Sequence, residues 1–161
     1  MLVDILGSSA VAEFYDGVAS DYHLIYADRW EQSLRHQGRA LDALIRSSLP
    51  ETRDVLDCAC GIGAQAIGLA LLGYRVTATD ISERSLQRAR DTAARLSTPV
   101  TVLPADFRDL RGISGDFDVV ICCDTSWFAC TSGIRPTARC TPCDSRSAGS
   151  TPRRRASINR S

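Results

Sequence analysis

Asp57, Gly61, Gly63 and Asp80 are the residues whose types and spacing carry chemistry in this chain. They fall in one stretch, Val55-Leu56-Asp57-Cys58-Ala59-Cys60-Gly61-Ile62-Gly63, then an alanine-rich segment, then Arg75-Val76-Thr77-Ala78-Thr79-Asp80. The pattern reads as strand, glycine turn, helix and strand, with an acid closing the second strand. Gly61 and Gly63 have no Cβ, so the backbone can turn tightly there and a ligand can approach it closely. The helix that follows begins with backbone N–H groups that lack intrahelical acceptors. Asp80 lies 19 residues after Gly61, where a carboxylate accepts hydrogen bonds from ribose hydroxyls. The chemistry implied is the holding of a nucleotide-type cofactor.

Two cofactor classes compete for this stretch. Gly61-x-Gly63-x-x-Ala66 fits the relaxed dinucleotide fingerprint, which would make the chain part of an NAD(P)-binding oxidoreductase. Asp57, four residues before the first glycine, argues against it, because a carboxylate facing the pocket repels a pyrophosphate. S-adenosyl-L-methionine (SAM) has no phosphate and carries a sulfonium and an ammonium, both suited to an acidic pocket. The acid-x-x-x-Gly-x-Gly form of Asp57 to Gly63 resembles the first motif of class I SAM-dependent methyltransferases. By that resemblance Asp57 and the backbone from Ala59 to Gly63 hold the methionine end of SAM, and Asp80 the ribose. Methyl transfer is an in-line displacement that needs position and electrostatics from the protein. The lack of a recognisable catalytic triad fits it, and no catalytic residue is assigned.

The flanking pattern supplies the elements that position these residues. A helix is expected over 30–48, with Leu34, Leu41, Leu44 and Ile45 on one face, weakened slightly at Gly38 and followed by Pro50. Strands are expected over 54–60, 74–79, 100–103 and 118–122, and helices over 64–72 and the segment after Ser82, which can cap it. Leu86, Ala89, Ala93 and Leu96 give that last helix its stripe. The near-continuous apolar first strand is what a parallel strand buried on both faces requires. The fold class is α/β: a Rossmann-like doubly wound parallel sheet, incomplete at four strands, with an N-terminal helical cap and a disordered C-terminal tail. Ligands of such sheets sit outside the carboxyl ends of the strands, at the switch point. Those ends are Cys60-Gly61, Asp80-Ile81, Asp106-Phe107 and Cys123-Asp124. Asp106 and Phe107 suit an adenine, the acid accepting from its exocyclic amine, and the family uses an acidic residue there in that way. Asp106 read alone fits a turn or helix-cap acid equally. Cys123 leads into what the family uses as a substrate-facing segment.

The N-terminal aromatics lack strand alternation and read as one or two short helices, either a packing cap or a lid over the pocket. Phe14-Tyr15-Asp16, Asp21-Tyr22-His23-Leu24-Ile25-Tyr26 and Trp30 resemble the N-terminal segment of glycine/sarcosine-type N-methyltransferases. That resemblance implies Tyr15, Tyr22, Tyr26, Trp30 and Arg35 as cofactor contacts and a small amine such as glycine or sarcosine as acceptor. Arg35 and Gln37 otherwise read as a solvated helix face.

Composition sets the remaining bounds. The chain has 161 residues, 44% hydrophobic and 24% charged, within the range of one globular domain. No apolar run reaches the roughly 18 residues of a membrane span, and the N-terminus has no signal-peptide pattern, so a cytoplasmic protein is expected. Residues 1–126 hold 12 Arg and 18 acids, whereas residues 127–161 hold 7 Arg and one acid. The tail has only Ile134 and Ile158 among Leu, Ile and Val, so it offers too little apolar surface to offset its ordering entropy. The expected organisation is a cap over 1–50, a SAM-binding half-domain over 51–126 and a disordered Arg/Ser/Pro-rich tail over 127–161. The break after Ser126, where the family continues with three more strands, reads as a truncated or frameshifted gene. A fragment without activity is a further alternative on that ground. Cys140-x-x-Cys143 lacks the additional ligands of a zinc site, so no metal is expected. Arg153-Arg154-Arg155 has no aromatic platform, so no specific nucleic acid is expected, and the partner is a small-molecule substrate. Seven cysteines fit reduced thiols better than a disulfide framework, with Cys58, Cys60, Cys122 and Cys123 as small buried hydrophobes.

Overall fold

The central strand is short because its sequence commits early to a turn. The computed structural model describes residues 8–19, 21, 29–123 and 156–158. In it β1 (Asp54–Asp57) buries Val55, Leu56 and Asp57 completely. The expected continuation to residue 60 becomes a loop starting at Cys58, which turns the chain towards Gly61. β1 pairs in parallel with β2 (Arg75–Asp80), and β2 in parallel with β3 (Val100–Pro104). On its other side β1 pairs in parallel with β5 (Val119–Ile121). The sheet order is β3-β2-β1-β5, so the topological switch point falls between β1 and β5.

The crossovers are helical, as parallel pairing requires. α3 (Ala64–Ala70) links β1 to β2, and α4 (Glu83–Arg95) links β2 to β3. All seven residues of α3 are buried, consistent with a short helix pressed between the sheet and α2 (Trp30–Ser48). The N-cap of α4 is Ser82, whose hydroxyl accepts from Ser85 N–H at 3.1 Å. Leu86, Ala89 and Ala93 bury the stripe read from the sequence.

α2 begins and ends where its periodicity predicts, but one position differs. Leu34 and Ile45 are buried, while Leu44 is 49% exposed and belongs to the solvent face. Gly38 is not merely a weak point. A Cβ there would overlap the carbonyl oxygen of Gly68 in α3, and a Cβ at Gly68 would overlap the carbonyl oxygen of Leu34. The two helices therefore approach backbone to backbone at a pair of glycines.

α1 (Ser8–Ala19) packs against α4. Asp16 Oδ1 accepts from the Ser82 hydroxyl at 2.5 Å and from Arg84 N–H at 3.2 Å. Arg88 donates to the Ala19 carbonyl. An acid is thereby placed at the N-terminus of α4, where the helix dipole favours negative charge.

One pairing departs from the sequence reading. β4 (Gly115–Phe117) lies just before β5 and pairs antiparallel with β6 (Ala156–Ile158). Those three residues were expected to be disordered and form a strand instead. The rest of the expected tail, with Asp124, lies outside the described residues.

Candidate functional site

The carboxyl ends of β1, β2 and β3 lie side by side, and the register brings their acids to one end of the sheet. Asp57 pairs with Ala78 on one side and Ile121 on the other, while Asp80 pairs with Pro104. Asp106 follows β3 by two residues. Asp57, Asp80 and Asp106 therefore share the carboxyl end of the sheet, the end at which open α/β sheets generally take ligands.

The glycine loop is held by one of these acids. Asp80 Oδ2 accepts from Gly61 N–H at 2.8 Å, and its Oδ1 accepts from Ser82 N–H at 2.9 Å. The loop is closed further by Cys60 N–H donating to the Thr79 carbonyl at 2.9 Å and Gly63 N–H to the Cys60 carbonyl at 2.8 Å. Gly61 has φ +52° and Gly63 φ +88°, values that favour glycine. A Cβ added at Gly61 would meet nothing within 4 Å, so the loop backbone borders open space. A Cβ at Gly63 would press against Ile67 and Ala89 instead. The two glycines thus differ: Gly61 faces room for a ligand, and Gly63 lets α3 seat on α4.

Asp57 lies beneath this loop, fully buried, with Ala59 N–H reaching its Oδ1 at 3.5 Å. Burial lifts the Asp80 carboxyl above its usual range. The N–H groups of Ser82, Gly61 and Ile81 oppose that rise, and the charge of Asp16 adds to it. Burial also pushes the Cys60 thiol well up, reinforced by the charges of Asp57 and Asp80. The electrostatic character of the loop is therefore acidic.

Asp106 stands differently. Its carboxylate forms a bidentate pair with Arg108, whose Nη2 lies 2.6 Å from Oδ2, and it also accepts from Arg108 N–H at 2.9 Å. Phe107 packs on the cluster of Leu56, Cys58, Ile113 and Phe117. Cys123 packs on the other cluster, with Val55, Val119 and Ile121 among its members. Ile81 is half-buried at the end of β2.

The expected N-terminal contacts divide. Tyr15 is half-buried on α1, which docks at the N-terminus of α4 beside Asp80 and Ser82; its described ring contact is edge-to-face with Phe14 at 5.3 Å. Trp30 packs over Leu34, Ala64, Ile67 and Ala93. Arg35 is exposed and lines a shallow depression with Gln32, His36 and Arg39, none of them from the strand-end loops. Gln37 turns instead towards α3, accepting from Gln65 Nε2 at 2.7 Å. Tyr22 and Tyr26 lie outside the described residues. Reasoning from the sequence missed Asp16 and Arg108. The i to i+2 spacing of Asp106 and Arg108 was a usable signal, but nothing local pointed from Asp16 to Ser82.

Among the described residues no helix is long and apolar enough to cross a membrane. Several comparisons bear on the strand-end site. Residues 55–139 match a family described as a methyltransferase domain, and the match runs past Ser126, where the sequence pattern alone stops. YqeM of Bacillus subtilis, which carries a methyltransferase name, is 39% identical over 117 residues, 69% of this chain and 42% of its own. The glycine/sarcosine N-methyltransferase of Parasynechococcus marenigrum is 34% identical over 117 residues, 70% of this chain and 42% of its own. The chain thus spans less than half the length of these relatives. Among solved structures, magnesium protoporphyrin IX methyltransferase (ChlM) from Synechocystis PCC 6803 with SAH bound superposes with a TM-score of 0.56 at 26% identity, over 74% of this chain and 59% of that one. The family match covers more than half of the residues, includes the glycine loop and all three acids, and does not favour the oxidoreductase reading: the chain belongs to the methyltransferase-domain family.

Proposed function

We propose that the strand-end site binds SAM and that the chain takes part in methyl transfer to a small molecule with an amine acceptor, such as glycine or sarcosine. The observation that carries this is the Asp80 carboxylate clasping Gly61 N–H at the end of the strand next to the one that buries Asp57. The fit is chemical as well as spatial. Open space borders Gly61, and the charges at the loop are carboxylates, which suit a sulfonium and an ammonium and oppose a pyrophosphate. Bound SAM supplies the activated methyl group. The chain's residues supply position. Asp57 and the Ala59-to-Gly63 backbone hold the methionine end, while the Asp80 carboxylate keeps acceptor capacity for a ribose hydroxyl beside its backbone bonds. Asp106 and Phe107 border the adenine, with Arg108 fixing the acid. Tyr15 stands on the helix nearest the ribose end. The solved ChlM structures with SAH and SAM bound support the cofactor, and the Parasynechococcus relative supports the amine.

Titration calorimetry with SAM and with NAD tests the cofactor. SAM binds the wild-type chain and NAD does not; NAD binding, or no SAM binding by a chain that melts cooperatively, overturns the reading. Incubation with methyl-labelled SAM and glycine or sarcosine tests the acceptor, and label remaining on SAM with both amines removes the amine assignment.

A further inference from the structure

Two cysteines meet at the topological switch point. Asp57 pairs with Ile121, and Cys58 N–H donating to the Ile121 carbonyl at 2.9 Å closes that last pair, so Cys58 and Cys122 are the next residues along the two neighbouring segments. Adjacent strands lie about 4.8 Å apart, within the roughly 4.4–6.8 Å Cα separation that a disulfide spans. Residues in register on neighbouring strands project to the same face. Both thiols pack in the cluster of Leu56, Ile113 and Phe117.

The two sulfurs are not equivalent. Cys58 is 6% exposed, with its thiol also 3.2 Å from the Ile121 carbonyl. Cys122 is half-buried and so within reach of a small reagent. The hydrogen bond from Cys58 brings the Cys122 thiol down to about 7, against the opposing effects of burial and the Asp80 charge. A reachable, ionisable thiol beside a buried partner is the arrangement of an attacking and a resolving cysteine. The neighbouring pair lacks it: Cys60 is buried with its thiol pushed well up, and Cys123 lies with the opposite core cluster.

We propose that Cys58 and Cys122 are an oxidisable dithiol that closes into a disulfide between the ends of β1 and β5 and thereby lowers cofactor binding at the adjacent loop. The co-reactant is a low-molecular-weight disulfide such as oxidised glutathione. The Cys122 thiolate attacks one glutathione sulfur, forming a mixed disulfide and releasing the first glutathione as a thiolate. Cys58, losing its proton, attacks the Cys122 sulfur, which forms the Cys58–Cys122 bond and releases the second glutathione. The two protons of the protein thiols end on the two glutathione molecules. The protein gives up two electrons, and the glutathione disulfide accepts them. The bond pulls on Cys58, which stands between Asp57 and Ala59. The effect on binding rests on the SAM reading; the bond itself does not.

The full chain is incubated with oxidised glutathione, and the intact mass and tryptic peptides are read by mass spectrometry. The expected product has lost two hydrogens and links the peptide carrying Cys58 to the one carrying Cys122. Cys60→Ser and Cys123→Ser retain the link, and Cys58→Ser and Cys122→Ser abolish it. Glutathione left on Cys122 without a bridge, a bridge mapped to other cysteines, or seven thiols still free overturns the proposal; wild-type mapping alone decides this if a serine variant does not fold. Calorimetry on the bridged chain then shows SAM affinity weakened by about tenfold or more, restored by dithiothreitol. Unchanged SAM affinity in the bridged form overturns the regulatory half. SAM binding absent from both forms counts against the function reading and leaves the bridge standing.

Discussion

Asp80 and Asp106 occupy comparable places, Asp80 at the carboxyl end of β2 and Asp106 two residues beyond that of β3, yet their carboxylates are partnered differently. Asp80 holds backbone with both oxygens, Oδ2 at Gly61 and Oδ1 at Ser82, and among the described residues no arginine forms an ion pair with it. Asp106 is neutralised by Arg108, two residues away, in a pair whose side chains are 20% and 33% exposed. An acid that clasps the loop couples ligand binding to loop geometry. An acid matched by its own arginine is a fixed acceptor with little net charge. The difference teaches that, on the proposed reading, charge complementarity to SAM is concentrated at the ends of β1 and β2, while the β3 end contributes shape.

The sharpest break of that contrast is at Asp57. Asp57→Ala removes a fully buried acid from beneath the loop, and SAM affinity is expected to fall about 100-fold or more by calorimetry. Asp57→Asn, which keeps the volume, separates loss of charge from loss of packing when both are compared by thermal melting. Asp80→Asn comes next, with affinity falling about tenfold, since a hydrogen bond to a charged group is worth roughly 1.5–3 kcal/mol.

The same residue gives a pH signature. The carboxylate form accepts from ribose hydroxyls, and the Asp80 carboxyl is raised in the folded chain. Its protonation on acidification therefore begins above the ordinary Asp value of about 3.9, and SAM affinity falls as pH drops through that raised value. The sign for stability is opposite. A raised acid destabilises the fold when ionised, so acidification through that range relieves the cost. Calorimetry and melting across the acidic range read both, and Asp80→Asn removes the two dependences together.

Gly61→Ala is a smaller test. The φ of +52° costs an L side chain about 1–2 kcal/mol, so the melting temperature drops, and the added methyl enters the open space and weakens SAM binding severalfold. Asp106→Asn has the smallest effect, under about fivefold in affinity, because its charge is already matched by Arg108 and ion pairs near the surface are worth about 0–1 kcal/mol. A loss at Asp106 equal to that at Asp80 would erase the distinction between the two ends.

Much of this arrangement was legible because it is local. The helix over 30–48 emerged with its expected ends, since Leu34, Leu41 and Ile45 keep one face and Pro50 stops it. The acid-to-glycine spacing from Asp57 to Gly63 and the return to Asp80 announced the loop. What escaped depends on contacts distant in sequence. Asp16 meets Ser82 across 66 residues, and nothing in α1 marks that acid apart from Glu13. Gly38 read as a propensity cost because its reason is a second glycine 30 positions later. The sequence pattern extends the first strand three residues past Asp57 because Cys58 and Cys60 are apolar enough for a strand, and only the turn at the glycines decides otherwise. The pairing of Gly115–Phe117 with Ala156–Ile158 joins a short turn-rich segment to a polar one, and neither advertises a strand.

The meeting of Gly38 with Gly68 carries a consequence for how variation is tolerated. Neither residue touches the strand-end loop, and both sit within helices where alanine would normally be welcome. Because each faces a carbonyl oxygen rather than a yielding side chain, even one methyl forces the two rods apart and lifts Trp30 and Leu34 from their seats. In a library covering every position, these two sites would be as intolerant as the acids of the pocket, and for a purely steric reason.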